Sequence, residues 1–146
     1  MNFYTTSSFR AAIQKLTRKT KDGYISVVHD VCEALQSMPD NIMRDTNDRI
    51  RQEQDFRIVK LRVKNSKLNL PKNDAFRLIY WVSTKKDNLV LLSVYPKRGT
   101  YGIGNLTDEE FLRLLKELVE ENRQELLQQV DITNALNVIN SHCKLI

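Results

Sequence analysis

Eleven lysines and arginines fall between Arg57 and Arg98 against two carboxylates, Asp74 and Asp87. Many of these cations lie inside strand-like runs: residues 57–64 (RIVKLRVK), 76–82 (FRLIYWV) and 88–98 (NLVLLSVYPKR). Side chains alternate along a strand, so the first run turns Ile58, Lys60, Arg62 and Lys64 one way and Val59, Leu61 and Val63 toward the core. In the second run both alternating sets are rich in apolar residues, as in a central strand, and Arg77 stands on the side of Lys60 and Arg62. A sheet face given over to unpaired cations repels itself. A polyanion offsets that repulsion, and RNA or DNA is the first candidate.

The third run reads as a strand from Leu89 to Tyr95 that Pro96 ends, with Asp87 and Asn88 as a tight hairpin turn before it; all three strands are then antiparallel. Residues 97–104 (KRGTYGIG) form a loop that adds Lys97, Arg98 and Tyr101. This loop lacks the Gly-Lys-Ser/Thr ending of a P-loop and the glycine spacing of a dinucleotide site. Ahead of the strands, Asn2 to Thr5 reads as an edge strand. Hydroxyls from Thr6 to Ser8 can cap a helix whose one face carries Phe9, Ala12, Ile13 and Leu16. Tyr24, Val27, Val28, Val31, Cys32 and Leu35 repeat at the helical interval until Pro39, so two helices in a hairpin are expected. Residues 40–55 read as either a loop or a short exposed helix. Thr107 and Glu110 spell a capping box, with Leu106 and Phe111 as its hydrophobic staple, for a helix running to about Leu127. Ile132 to Ile139 reads as a further short helix in a loose tail.

The chain of 146 residues, 41% hydrophobic and 28% charged, has the composition of an ordinary globular domain rather than a disordered one. The expected division is one domain over residues 1–128 with a helical extension or tail over 129–146. Most of the excess positive charge lies before Gly102, and the region after it is acidic. Cys32 and Cys143 are too far apart in sequence to suggest a zinc site or a disulfide framework, which fits a reducing compartment. No apolar run reaches membrane-span length and no leader pattern opens the chain, so a cytoplasmic protein without membrane contact is expected.

Val59 to Arg62 (VKLR), followed by a basic connector and residues 75–80 (AFRLIY), resembles the middle strands of the RelE/HigB superfamily of toxin endoribonucleases. The expected helical hairpin and the strand ending at Tyr95 to Arg98 stand where that family has them, and the resemblance covers about residues 2–120. Ala75 replaces the family's glycine, the connector 65–74 is longer than in the smallest members, and the chain after Gln128 is extra. The resemblance implies an α+β fold: a helical hairpin packed on a small antiparallel sheet, with a C-terminal helix. It implies cleavage of messenger RNA, often in the ribosomal A site, through the RNA's own 2′-hydroxyl, without metal or other cofactor, and control by a cognate antitoxin protein.

That reaction needs a base for the 2′-hydroxyl, cations around the developing phosphorane and an acid for the departing 5′-oxygen. Lys60, Arg62, Arg77, Lys97 and Arg98 can supply the charge. A lysine among arginines gives up its proton more readily, which makes Lys60 the candidate base, and Tyr101, with Tyr95 as the alternative, is the candidate acid on the same ground. Lys64, Lys67, Lys72 and Tyr95 are candidates for RNA contact. The structural alternatives are plain: solvated lysines, a packed Tyr95, a loop-closing Tyr101, and an Arg77 paired with a carboxylate such as Asp74. Trp81, Phe76 and Tyr80 belong to the core on this reading, and His29 and His142 have no catalytic partner in sequence. Two other classes compete with the nuclease: a module of the same fold that holds nucleic acid without cutting it, and a protein that binds an acidic antitoxin segment. On the nuclease reading, removing the charge of Lys60, Arg62 or Arg77 abolishes toxicity in an expression assay and leaves the fold intact.

Overall fold

The computed structural model describes residues 1–18, 20–45, 49–99 and 101–145. In chain order these form β1 (Asn2–Thr5), α1 (Ser7–Arg18), α2 (Val27–Gln36), α3 (Asp40–Asp45), β2 (Arg49–Gln52), β3 (Phe56–Val63), β4 (Phe76–Ser83), β5 (Asn88–Pro96), α4 (Asp108–Arg123), β6 (Leu127–Asp131) and β7 (Asn137–Cys143), an α+β arrangement. The strands make one seven-stranded sheet in the order β2-β3-β4-β5-β1-β6-β7. β3, β4 and β5 are antiparallel, as their patterns predict, whereas β1 runs parallel to β5.

Both faces of this sheet are covered, because β4 and β5 carry apolar residues at odd and even positions alike. On one face Val59, Leu61, Leu78, Tyr80 and Leu91 pack with Phe9 and Leu16 of α1 and Val27, Val31 and Leu35 of α2. On the other, Ile58, Ile79, Val90 and Leu92 pack with Leu118 of α4 and with Leu127 and Cys143. α4 begins with the capping box that its sequence spells: Glu110 N–H donates to Thr107 Oγ1 at 3.1 Å and Thr107 N–H to Glu110 Oε1 at 3.3 Å. Leu106 and Phe111 both pack on the second core, as a staple does. From its far end α4 caps α1. The backbone N–H of Ser7 donates to Glu121 at 3.0 Å and that of Ser8 to Glu117 at 2.7 Å. Two carboxyl groups thus share one helix N-terminus. Burial and the hydrogen bond to Glu117 push Glu121 above the usual range. Glu117, despite its own burial, is held below that range by hydrogen bonds with Glu121 and Ser8.

Several expectations are corrected. In the segment 40–55, read as a loop or a short exposed helix, α3 is that helix, and the edge strand β2 that follows it is unexpected; residues 46–48 lie outside the described chain. β5 begins at Asn88, so the β4–β5 connection is the longer 84–87 loop rather than a tight turn at Asp87 and Asn88. No glycine is needed there, because Ser83 Oγ accepts from the N–H groups of Lys85 (3.2 Å) and Lys86 (2.9 Å) and Arg44 Nη2 donates to Asp87 at 2.8 Å. α4 stops at Arg123 instead of reaching Leu127.

The largest correction concerns the chain after Gln128. The helical tail expected over 129–146 is a β-hairpin, β6 and β7, and β6 pairs with β1. The presumed edge strand β1 is therefore interior, and the small antiparallel sheet is a larger mixed one. The turn between β6 and β7 places Ala135 (φ 52°) and Leu136 (φ 60°) in the left-handed region, where sequence reading looks for Gly or Asn. Asp131 supports it, its Oδ1 accepting from Thr133 N–H at 2.9 Å and its carbonyl from Leu136 N–H at 3.0 Å. Among the described residues no helix is long and apolar enough to cross a membrane.

The hairpin makes a prediction of sign. At exposed Ala135, Ala→Gly relieves a left-handed strain and raises the unfolding free energy by about 0.5–1 kcal/mol. In the helix that the sequence suggests, the same change would lower it by about 1 kcal/mol. Urea denaturation of the variant distinguishes the two.

Candidate nucleic-acid interface

Three strands bring the predicted cations together. Arg62 of β3 lies directly across from Arg77 of β4, which lies across from Tyr95 of β5, and Lys60 is opposite Ile79 in the same ladder. Tyr95 joins this row only because β5 carries a bulge. Opposite the step from Ile79 to Tyr80, β5 holds an extra residue, so the pairing jumps from Ser93 to Leu91. Strict alternation would put Tyr95 on the face of Leu89 and Leu91. The extra residue turns it to the opposite face, beside Arg77.

Arg77 is only 7% exposed. Its Nη1 donates to the carbonyls of Lys72 (3.0 Å) and Phe76 (3.1 Å), and its Nη2 to the carbonyl of Asn73 (2.8 Å). A buried guanidinium has to be solvated by the protein, and here the backbone of a short 3₁₀ turn, Lys72–Asp74, does it. Asp74, the carboxylate named in the sequence alternative for Arg77, pairs with Arg98 at 3.2 Å. Asn73 thereby becomes a hub. Arg62 Nη1 donates to its side-chain oxygen at 3.2 Å, and Lys97 Nζ reaches its carbonyl at 3.4 Å. Arg62, Lys97 and Arg98 thus surround one turn, and Arg62 and Lys97 meet neutral oxygens there. Sequence reading passed over Asn73, a lone polar residue in a basic connector with no motif around it.

Lys60 turns the other way along the face, with Nζ 3.5 Å from Asn105 Oδ1. Lys60, Tyr95, Asn105, Asp108 and Phe111 line a cleft of about 350 Å³ between the sheet and the start of α4. Tyr95 is 4% exposed and its hydroxyl has no hydrogen-bond partner among the described residues. Burial raises its pKa, against the lowering effect of the Arg77 charge.

Tyr101 is held elsewhere. Its ring packs against Tyr24 at 6.0 Å on the rim of the first core, with Lys15 Nζ 4.5 Å above it, and its N–H donates to the Tyr24 hydroxyl at 3.3 Å. The structure therefore brings Tyr95, not Tyr101, into the row of cations; Thr100, next to it in the predicted loop, lies outside the described residues. Lys64, expected beside Lys60, follows the end of β3 and pairs with Glu33 of α2 at 2.9 Å, on the other side of the sheet. That contact raises the pKa of Lys64 and lowers that of Glu33. Lys72 shares a cleft with Lys64 and Arg62, and Lys67 is exposed in the connector. Glu33 also meets His29 at 3.1 Å; His29, Asp30 and Glu33 gather potential ligand atoms within 4.8 Å, but Glu33 is already committed to Lys64. Trp81 stacks on Phe56 at 6.0 Å at the edge of the second core.

Comparison with protein-family models, with curated proteins and with solved structures returned no match.

The two arginines of the row differ in what they hold. Arg77→Ala removes the donor of three carbonyls, that of Phe76 buried and those of Lys72 and Asn73 partly so, and lowers the unfolding free energy by about 2–4 kcal/mol, whereas Arg62→Ala, at an exposed site, changes it by less than about 0.5 kcal/mol. Thermal and urea unfolding of the two variants side by side tests this. The sequence expectation, an intact fold after loss of the Arg77 charge, is the alternative outcome of that test.

Proposed function

We propose that this protein is a toxin-type endoribonuclease that cleaves messenger RNA, at the ribosome, by attack of a 2′-hydroxyl on the adjacent phosphate. The observation that carries the reading is the buried Tyr95 hydroxyl, without a hydrogen-bond partner among the described residues, in one row with Arg77 and Arg62 and in one cleft with Lys60. A buried hydroxyl without a partner costs about 1–3 kcal/mol, a cost that suits a group whose partner is a substrate. Arg62 and Lys97 meet the non-bridging phosphate oxygens, and Lys60 takes the proton of the 2′-hydroxyl. Tyr95, which burial keeps protonated, gives its proton to the departing 5′-oxygen. Arg77 acts through others: it fixes the turn that carries Asn73 and lends its charge to Tyr95. The internal nucleophile, base, acid and cations complete this reaction without a cofactor. The RelE/HigB-like motifs of β3 and β4 and the placement of α1 and α2 on one sheet face support the toxin reading, with the cytoplasm as its place and an antitoxin as its control.

The use of Arg77 by three backbone carbonyls favours a second reading, a non-catalytic module of the same fold that binds nucleic acid or an antitoxin.

Induced expression of the wild type, Lys60→Ala and Tyr95→Phe in bacteria, with growth scored and new 5′ ends mapped on messenger RNA, decides between them. Growth arrest and new ends from the wild type alone are expected. Tyr95→Phe should lose at least about 100-fold in cleavage, the scale of a general acid, while its unfolding midpoint stays level or rises because an unpaired buried hydroxyl is gone. RNA binding by the wild type without new ends would establish the binding module instead.

A further inference from the structure

The cleft beside Lys60 is built for more than a phosphate. Its walls include Ile79, Leu106 and Phe111, flat or apolar surfaces, while its rim offers an ammonium (Lys60), an amide (Asn105) and a carboxylate (Asp108). A simple anion site would not place a carboxylate at its mouth, because Asp108 repels the ligand that Lys60 attracts. Helix polarity alone accounts for an acid in the first turn of α4. It does not account for Lys60 and Asn105 lining the same cleft as that acid, or for the buried hydroxyl of Tyr95 in its wall, which has no partner among the described residues.

One ligand class uses Lys60, Asn105 and Asp108 together: a nucleotide of single-stranded RNA. Its phosphate suits Lys60, its base suits the apolar and aromatic wall, and its pairing edge suits an amide and a carboxylate. Asp108 narrows the base. An ionised carboxylate only accepts, and guanine alone presents two adjacent N–H donors, N1–H and N2–H, to its two oxygens. We infer that this cleft seats one guanine nucleotide of the bound RNA, with Asp108 reading the base, Asn105 assisting and Lys60 holding the phosphate as its ammonium in the resting complex, the form that has to lose a proton before it acts as the base proposed above. The inference rests on the reading that this face binds RNA, and it adds a base preference.

The test titrates the purified full chain with the four nucleoside 5′-monophosphates and with inorganic phosphate, followed by amide chemical shifts and calorimetry. Guanosine monophosphate should bind about tenfold tighter than the other three, in line with a bidentate base contact, and should shift the amides around Asn105 and Phe111. Asp108→Asn should erase that preference with only a small drop in unfolding temperature, from the loss of one exposed carboxylate at the helix start, and Lys60→Ala should weaken all four nucleotides alike. Equal affinity for the four bases, full competition by inorganic phosphate, or no binding overturns the inference. A guanine preference in a protein that produces no new 5′ ends in cells would keep the cleft and refute cleavage. New ends without a guanine preference would do the reverse.

Discussion

A guanidinium almost withdrawn from water sets the geometry of this face. Arg77 sits in a strand whose other residues are nearly all buried, and its charge has to be met by oxygens the chain can supply. The carbonyls of Lys72, Asn73 and Phe76 meet it, so the β3–β4 connector is drawn into a 3₁₀ turn over the end of the sheet. Asn73 then stands where Arg62 and Lys97 reach it, and Asp74 where Arg98 does. The exposed cations owe their convergence to a buried one. Pairing Arg77 with a carboxylate would satisfy the same charge and leave the turn without its anchor.

The second determinant is the extra residue in β5. Without it, Tyr95 would enter the core beneath α1 and α2, and the cation face would have no titratable hydroxyl in its row. With it, the strand switches faces between Leu92 and Val94, and the phenol arrives beside Arg77. α4 closes the arrangement from above. Its capped N-terminus forms one wall of the Lys60 cleft, and its distal carboxylates hold the start of α1 through Ser7 and Ser8. One helix therefore fixes the cleft and also ties together the two sides of the sheet.

Much of this was legible locally. The capping box at Thr107, the alternation of β3 and the doubly apolar β4 depend on neighbours within a few residues, and each was read correctly. The tail was not. β7 is rich in Asn, Ser and His, and its turn uses Ala135 and Leu136 at positive φ where Gly or Asn would have announced a hairpin. Pairing with β1 decides that segment, more than a hundred residues away in sequence. Lys64 and Tyr101 stand apart from the row for related reasons: a strand that ends one residue early frees Lys64 for Glu33, and a ring contact with Tyr24 holds Tyr101 under Lys15, outside the row of Arg62 and Arg77.

The sequence by itself determined that a basic, antiparallel three-strand unit lies at the centre of an α+β chain, because period-two patterning and charge are properties of the residues themselves. It also placed Lys60 and Arg62 on the face opposite the α1 and α2 core. Only the tertiary structure decided which phenol joins them, what Arg77 does, and that Asn73, Asn105 and Asp108 belong to the same face. Those outcomes turn on a one-residue bulge and on the satisfaction of a buried charge by distant carbonyls, long-range constraints that leave no mark on local spacing.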